Sequence, residues 1–375
     1  MPKNIVICCD GTNNQFSGHH TNVIRTYKVA QRSPQQVTFY DCGVGTMPEP
    51  WRQGRLAKRW SMLKGLAFGT GFLQNIEDAY RFLMANYEEG DQVYLFGFSR
   101  GAFTVRALAG MLHSVGLLHP GTENLIPYAQ RYWQKDFRPR DPSSPKTPGQ
   151  LICEEFKATM ARPCPIHFIG VWDTVSSVGM INQFRTFPFT LHNPDVSHVR
   201  HAVAIDERRS CFRQNLMFKD EKVPAQDIKN VWFAGVHSDV GGGYPPMKAG
   251  LAKISFDWMM REAAACGMLI DPSALKREVH IEGAGPNPCA DQEESLKGGW
   301  RFVELIPVRR FNWTTKRHEW RLPFGSRRNI ERNAAFEEVS LHQSVLDRIK
   351  GLSAYRPSNL PHDEQSLRAK YKIEV

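Results

Sequence analysis

The segment that most constrains the fold of this chain is Gly97-Phe98-Ser99-Arg100-Gly101, a Gly-x-Ser-x-Gly pattern. It follows the apolar run 93–96, which has the β-branched and aromatic residues of a buried strand, and it precedes 102–115, where apolar residues recur at helical spacing. Between a strand and a helix, this pattern forms a tight turn that needs its two glycines and leaves the serine hydroxyl exposed above a sheet. A glycine-rich turn without chemistry is the alternative, but the context favours Ser99 as a nucleophile.

Strand-like and helix-like patterns alternate on both sides of this turn. Short apolar runs bounded by polar residues predict interior strands, and apolar residues at helical spacing predict the helices between them. The predicted strands are 5–9, 37–40, 92–96, 166–171 and 231–236, and the predicted helices are 75–87 and 102–115. This alternation predicts an α/β fold of the α/β-hydrolase kind: a mostly parallel central sheet flanked by helices, with loop insertions and a decorated C-terminal part.

The length of 375 residues fits a single domain, 1–375, with additions to its surface. The proline-rich segment 120–165 is predicted to be a surface insertion, and 270–375 a C-terminal extension that packs on the same domain. Beyond about residue 270 the α/β alternation is lost. Short strands or hairpins are predicted there at 279–281, 301–305 and 312–321, and a final amphipathic helix at 338–349.

The cysteine content and the net charge indicate which cofactors and partners to expect. The eight cysteines include no Cys-x-x-Cys, which argues against a zinc site and a disulfide scaffold, so we expect neither metal nor cofactor. The net charge of +10 suits an anionic membrane surface or an acidic substrate. No nucleic-acid-binding module is recognisable, so nucleic acid is not an expected partner. Basic and aromatic residues interleave at 51–60 and 309–328, which suits lipid head groups as well as a plain solvated surface.

The sequence also bears on where the protein is found. The apolar run 5–9 is too short for the hydrophobic core of a signal peptide, and no apolar run approaches the roughly 20 residues that span a bilayer. We therefore expect synthesis in the cytoplasm, without a signal peptide or a transmembrane segment. The aromatic and proline-rich segment 184–194 is expected to form a loop over a site. Its residues 184–189 would act as a lid or as a lipid-docking surface.

Partners for Ser99 are expected where later strands end, because the carboxyl ends of parallel strands meet at one edge of the sheet. Asp173 follows the apolar run 168–172, and His237 follows 231–236. A histidine there could accept the serine proton while an aspartate holds its other ring nitrogen. Asp239 is an alternative acid, and His342 an alternative base because a late histidine is usual in this fold class.

The oxyanion of a reacting ester needs two backbone N–H donors. One is that of Arg100, directly after the serine, and the second is expected from Gly11 or Thr12 in the loop after the first strand. Asp10 is expected to orient this loop, to hydrogen-bond a neighbour or to bind a cation. Asp-Gly-Thr after a strand also occurs in haloacid dehalogenase-type phosphatases, but Cys8 stands where their nucleophilic aspartate would be, so that chemistry is not expected.

An ordered set of motifs gives a specific resemblance, although each motif alone is weak. The chain resembles an α/β-hydrolase family labelled domain of unknown function 2235, which includes the first family of type VI secretion lipase effectors. The resemblance covers roughly residues 1–260. The matching segments are 9–13, 43–46, 65–71, 97–103, 172–175, 201–209 and 236–244.

The resemblance implies a Ser–Asp–His triad on Ser99, Asp173 and His237. It implies a serine hydrolase that cleaves carboxylic esters of lipids, of phospholipase A type or a related esterase, acting as a type VI secretion antibacterial effector. The implied partners are a lipid or other ester substrate, an anionic membrane surface, an immunity protein and the secretion apparatus. Export would use a system that needs no signal peptide. The alternative is a catalytically silent protein of the same fold that binds at a membrane or a secretion apparatus.

The charged segment 206–209 lies within one of these motifs and has no derivable catalytic role. Buried ion pairs that brace the loops at the strand ends would account for it. The alternative is that Arg208 or Arg209 recognises an anionic head group.

Overall fold

A computed structural model describes most of the chain. The described residues are 2–11, 19–43, 70–136, 144–175, 179–180, 183–184, 187–220, 223–281, 284–298, 300–305, 307–312, 317–322, 328, 330 and 339–375. Thr12, the aromatic and basic segment 51–60, and residues 185–186 of the predicted loop over the site lie outside them. So do 313–316 and 323–327 of the second basic segment.

The centre of the fold is an eight-stranded sheet in which every neighbouring pair of strands is parallel. The strands of the described residues are Asn4–Cys9 (β1), Gln36–Asp41 (β2), Gln92–Phe98 (β3), Leu117–Leu118 (β4), Ala161–Arg162 (β5), Ile166–Trp172 (β6), Gly179–Met180 (β7), Gln183–Phe184 (β8), Val196–Ala204 (β9), Asp227–Phe233 (β10), Val308–Asn312 (β11), Arg317–Arg321 (β12), Ser340–His342 (β13) and Lys372–Glu374 (β14). The strand order in the central sheet is β14-β13-β10-β9-β6-β3-β1-β2. The predicted α/β fold with a parallel central sheet is confirmed.

Helices cover both faces of this sheet. In the described residues they are Asn22–Val29 (α1), Thr70–Asn86 (α2), Arg100–Val115 (α3), Ile126–Trp133 (α4), Pro148–Met160 (α5), His237–Gly241 (α6), Gly250–Ala265 (α7), Pro272–Val279 (α8), Trp300–Val303 (α9), Gln343–Gly351 (α10) and Glu364–Lys370 (α11). Two short 3₁₀ turns lie at Glu123–Leu125 and Pro246–Lys248. Within the described ranges, no helix has both the length and the apolar character needed to cross a membrane.

Strands β1, β3 and β6 are buried on both faces over most of their length, which explains their nearly continuous apolar sequences. Because side chains alternate along a strand, β1 contributes to two cores. Ile5 and Ile7 pack in a cluster with α2 and α3, whereas Val6 and Cys8 pack in a cluster with α1 and α7. The two clusters hold the sheet between helical layers and fix the edge at which its carboxyl ends meet.

The amino-terminal predictions agree with the structure to within a few residues. The helix predicted at 75–87 begins earlier, at Thr70, and the helix predicted at 102–115 begins at Arg100, directly after the serine. The strand predicted at 231–236 ends at Phe233, so a short loop separates it from His237. The antiparallel pair β11 and β12 confirms the hairpin predicted around 312–321.

Three predictions in the C-terminal third differ from the structure. The segment 279–281 is not a strand, because α8 continues to Val279, and the segment 301–305 begins within helix α9. The helix predicted at 338–349 is present from Gln343 onward as α10, but Ser340–His342 form strand β13, and a further helix and strand come after α10. A short apolar run fits either a strand or a buried helix turn, and periodicity alone cannot separate the two.

The sequence reading also missed β9, which lies in the middle of the sheet. Its sequence contains two histidines and an arginine, which interrupt the apolar run that signals an interior strand. Partners on other elements compensate for these polar groups: Arg200 bonds to Asp227 and Glu262, and His201 Nδ1 lies 3.2 Å from Asn230 Oδ1. Only the packed structure supplies these partners, so the sequence pattern could not reveal the strand.

Candidate active site

Ser99 forms the turn between β3 and α3 in a strained backbone conformation. Its φ of 58° and ψ of −117° lie in a region that favours glycine. The flanking glycines are sterically required: a Cβ on Gly97 would lie 2.5 Å from the carbonyl oxygen of Gly101, and one on Gly101 would lie 2.1 Å from that of Cys9. Ser99 itself is only half-buried. The turn therefore has the geometry expected of a nucleophile elbow.

Asp173 lies directly after β6, next to this turn. Its φ of 41° is again in the left-handed region, and its side chain is fully buried. The backbone N–H of Ser99 donates to the Trp172 carbonyl over 3.1 Å, and that of Asp173 donates to the Ala202 carbonyl over 2.7 Å. These bonds join the carboxyl ends of β3, β6 and β9, so the nucleophile turn and the carboxylate are held at one edge of the sheet.

His237 is the first residue of α6, four residues after β10 ends. Its Nδ1 lies 2.5 Å from Oδ2 of Asp173. The imidazole is buried between two aromatic rings, with ring centroids 4.6 Å from Phe98 and 4.8 Å from Phe212. Since Phe98 directly precedes Ser99, the imidazole packs beside the strand end that carries the serine. The structure thus brings the three predicted residues to one edge, and His237 contacts Asp173 directly.

Charge and burial favour an ionised Asp173 and a neutral His237. Burial alone would raise the pKa of Asp173, but the charge of Arg328 and the bond from His237 hold it well below its usual range. Burial lowers the pKa of His237, against the opposing effect of Asp173. An ionised carboxylate accepts the Nδ1–H of a neutral imidazole, so Nε2 is the nitrogen that can accept a proton.

Glu207 is buried beside this histidine and forms an ion pair with the half-buried Arg209. Arg209 donates through Nε and Nη2 to the two carboxylate oxygens of Glu207, each over 2.9 Å. Glu207 Oε2 also accepts from the backbone N–H of His237 over 3.1 Å. The Arg209 guanidinium stacks 3.6 Å from the ring of Phe212. This is the bracing ion pair expected for the segment 206–209, whereas Arg208 pairs with Glu294 in a more exposed position.

The loop after β1 is organised by Asp10. Its Oδ1 accepts from the backbone N–H of Gly11 over 2.7 Å, and its Oδ2 accepts from Thr21 Oγ1 over 2.5 Å and from Tyr40 over 3.1 Å. Asp10 therefore orients this loop, which is one of the roles expected for it. Because the backbone N–H of Gly11 is bonded to the Asp10 carboxylate, it is not directed at Ser99 as an oxyanion donor in this structure. Thr12, the other predicted donor, lies outside the described residues. The N–H of Arg100 lies in the first turn of α3, directly after the serine.

The two alternative residues are engaged in local structure. His342 caps α10 by accepting from the N–H of Ser344 over 3.2 Å, and its ring stacks on Phe233 at 4.6 Å. Burial lowers the pKa of His342 to about 4. Asp239 accepts from the N–H of Val236 over 2.9 Å at the start of α6, and burial raises its pKa to about 7. Both side chains thus serve helix N-termini.

Sequence reasoning missed Arg328, which bonds to both oxygens of Asp173. Its Nη1 donates to Oδ1 over 2.5 Å, and its Nη2 donates to Oδ2 over 3.0 Å. In the sequence, Arg328 closes a basic stretch that reads as a solvated surface. Nothing in that stretch marks Arg328 as a buried residue, so no sequence signal would have identified it.

Comparisons with known proteins add to this geometry. An uncharacterized protein of Saccharomyces cerevisiae (strain ATCC 204508 / S288c) is 38% identical over 225 residues, which cover 56% of this chain and 32% of the yeast protein. Two solved structures are similar at 18% identity. One is an uncharacterized protein from Pseudomonas aeruginosa, with a TM-score of 0.44 over 73% of this chain and 47% of that chain. The other is the Tle1 effector bound to the VgrG spike of the type 6 secretion system, with a TM-score of 0.36 over 67% of this chain and 52% of that chain.

The chain spans about a third of the length of its yeast relative and about half of each solved chain. A family match covers more of this chain. Residues 3–262 match the family described as "T6SS, Phospholipase effector Tle1-like, catalytic domain". This region contains the turn at Ser99 as well as Asp173 and His237. The chain therefore belongs to the Tle1-like catalytic-domain family of type VI secretion phospholipase effectors.

Proposed function

We propose that this protein is a serine hydrolase that cleaves carboxylic esters of lipids, with phospholipase A-type or related esterase specificity. The observation that carries the proposal is the 2.5 Å contact between His237 Nδ1 and Asp173 Oδ2, at the sheet edge that also holds the strained Ser99 turn. Membership of a phospholipase effector family supports a lipid ester as the substrate class.

In the proposed reaction, Ser99 Oγ attacks the acyl carbon of the ester while Nε2 of His237 accepts the hydroxyl proton. The ionised Asp173 holds Nδ1–H and stabilises the imidazolium that forms. The carbonyl π electrons move onto oxygen, which gives a tetrahedral oxyanion. The N–H groups of Arg100 and Thr12 would stabilise this charge, since the N–H of Gly11 is already bonded to Asp10.

Collapse of this intermediate breaks the bond between the acyl carbon and the alcohol oxygen, and His237 returns its proton to the departing lysolipid alcohol. The acyl group remains on Ser99. Water then attacks the acyl-enzyme with His237 again as base, and the fatty acid leaves with Ser99 restored. Asp173 stays ionised throughout, in keeping with the charge of Arg328 beside it.

Family membership also supports proposals about partners. A type VI secretion phospholipase effector acts on lipid and is carried by a secretion apparatus, so we include both among the partners. We further include an anionic membrane surface, which suits the net charge of +10, and an immunity protein that would neutralise the activity. Export would then need no signal peptide.

The test is ester hydrolysis by the wild type, Ser99→Ala and His237→Ala. Substrates would be short-chain nitrophenyl esters and anionic phospholipid vesicles, and a fluorophosphonate probe would label the nucleophile for peptide mapping. We expect both substitutions to lower kcat by at least about 10³-fold. Ser273→Ala is a matched control, because Ser273 is an exposed serine in the first turn of another helix, α8.

Labelling at a serine other than Ser99, or full activity of Ser99→Ala, would refute the proposal. A wild type as inactive as its variants on esters, thioesters and phospholipids would favour the catalytically silent binding protein instead. Release of the acyl chain from one glycerol position rather than of the head group would establish phospholipase A specificity.

A further inference from the structure

The buried guanidinium of Arg328 connects three segments at the edge of the sheet. Besides its two bonds to Asp173, Nη1 donates to the Ala204 carbonyl at the end of β9 over 2.9 Å, and Nη2 donates to the Phe212 carbonyl over 2.6 Å. Phe212 in turn packs its ring on His237. Arg328 lies outside the matched region 3–262, so this contribution comes from the C-terminal part of the chain.

We propose that Arg328 is a positioning residue for the hydrolysis. It orients the carboxylate of Asp173 toward His237 and partly neutralises the negative charge of that carboxylate. This inference rests on the proposed function, because it assigns a role relative to the nucleophile, acid and base described there. Arg328 is buried behind Asp173 and acts through it rather than on the substrate.

The geometry supports positioning because each carboxylate oxygen of Asp173 accepts two hydrogen bonds. Oδ1 accepts from the Ala204 N–H over 2.9 Å and from Arg328, while Oδ2 accepts from His237 and from Arg328. A bidentate guanidinium fixes the plane of a carboxylate, which a single lysine ammonium cannot do. Arg328 is itself held in place, since Nδ2 of Asn359 donates to its carbonyl and to that of Ile205, each over 3.1 Å.

Arg328 should also affect the protonation of His237, because both groups bond to the same oxygen of Asp173. Arg328 Nη2 and His237 Nδ1 both bond to Oδ2, so a permanent cation competes with the imidazolium for one carboxylate oxygen. Glu207 and Arg209 face the histidine as a mutually neutralising pair, and burial keeps His201 beside Asp173 neutral by lowering its pKa to about 3. Among the described residues, Arg328 is therefore the cation that shares Asp173 Oδ2 with His237, and its removal should favour protonated His237.

The main experiment compares wild type with Arg328→Gln and Arg328→Lys. In Arg328→Gln the acid limb of kcat/KM should move to higher pH by about 1 unit, because Asp173 then acts on His237 alone. In Arg328→Lys, which retains the charge, the limb should stay in place while kcat falls by about tenfold through lost alignment. KM should change little in both, since Arg328 is buried behind the carboxylate.

Arg200→Gln is the matched control. Arg200 is equally a buried arginine bonded to carboxylates, but its partners are Asp227 and Glu262, away from His237. We expect this variant to lose stability and to keep the wild-type pH profile.

NMR titration of His237, assigned by the signal lost in His237→Ala, reads the same pKa without turnover. Because this measurement needs no activity, it tests the inference separately from the proposed function. Failure of the proposed function would instead be revealed by an inactive wild type. A His237 pKa in Arg328→Gln equal to that of the wild type would overturn the inference. If Arg328→Gln does not fold, Arg328→Lys decides: full kcat overturns the inference, and reduced kcat with an unmoved pKa supports it.

Discussion

At the scale of single residues, the site contains features that usually destabilise a folded protein. Ser99 and Asp173 both adopt positive φ, and Asp173 carries a buried charge. Such strain costs on the order of 1–3 kcal/mol per residue and persists only when the surroundings enforce it. Here the glycines beside Ser99 and the four bonds to Asp173 enforce it. Strain in both residues suggests that their placement serves activity rather than stability.

Relief of strain at Ser99 should stabilise the fold while removing the nucleophile. Ser99→Ala keeps a Cβ in the strained conformation, whereas Ser99→Gly removes it, and both lack the hydroxyl. We expect Ser99→Gly to be more stable than Ser99→Ala by about 1 kcal/mol, after allowing for the greater entropy of an unfolded glycine. Urea unfolding of the two variants measures the difference. Equal midpoints would show that the turn is not strained.

The protonation of His237 should set the acid limb of activity. Burial lowers its pKa in the folded protein, so the neutral base persists to more acidic pH than an ordinary histidine allows. We therefore expect kcat/KM to fall on acidification with a midpoint below about 6.5, the ordinary value for histidine. A pH profile on a soluble, uncharged ester measures it. A midpoint above that value would mean that Asp173 outweighs burial.

At the scale of elements, the close approach of α3 to β1 builds the site. The first turn of α3 lies against the last carbonyls of β1, and only a glycine at 101 allows that distance. This contact places the N–H of Arg100 beside the loop that Asp10 organises. The serine turn is therefore defined by a neighbouring strand as well as by its own sequence.

A methyl group at this contact should separate the two elements. In Gly101→Ala the new Cβ would lie 2.1 Å from the Cys9 carbonyl oxygen, a backbone atom that cannot move freely. We expect a loss of about 3 kcal/mol in the free energy of unfolding and loss of most activity. Gly121→Ala is the comparison, since it has a positive φ but open space, and should cost only about 1 kcal/mol. Chemical denaturation of both tests the contrast.

At the scale of the whole molecule, the C-terminal part completes the sheet. Strands β13 and β14 extend it beyond β10, and their helices bury a third cluster that includes Trp232 and Leu341. The same part supplies Arg328 to the carboxylate of Asp173. The matched region 3–262 would therefore lack one side of its own sheet.

Truncation should reveal this dependence. A chain ending at residue 262 would leave β10 as an exposed edge strand and uncover Trp232, so we expect it to aggregate or bind a hydrophobic dye. A chain ending at residue 371 loses only strand β14, retains Arg328, and should stay monodisperse with a modest loss of stability. Size-exclusion chromatography and thermal unfolding compare the two. A monodisperse, cooperatively unfolding 1–262 would show that the catalytic region is independent.

Much of the fold was predictable because parallel strands buried on both faces have a distinctive apolar pattern. Strands β1, β3 and β6 and the helix after Ser99 follow from it directly. The strand β9 did not, because its charged and imidazole side chains are satisfied by partners distant in sequence. The predictions for the short C-terminal elements failed for another reason, because a few apolar residues fit a strand and a helix turn equally well.

The sequence by itself determined the serine turn, since its glycines and its position between strand and helix follow from local sterics. It also placed Asp173 and His237 near the ends of strands, which the parallel topology then brought to one edge. Only the tertiary structure decided that His237 contacts Asp173, while His342 and Asp239 cap helices. It alone supplied Arg328, because a buried cation is defined by the carboxylate that it meets, and that carboxylate lies 155 residues earlier in the chain.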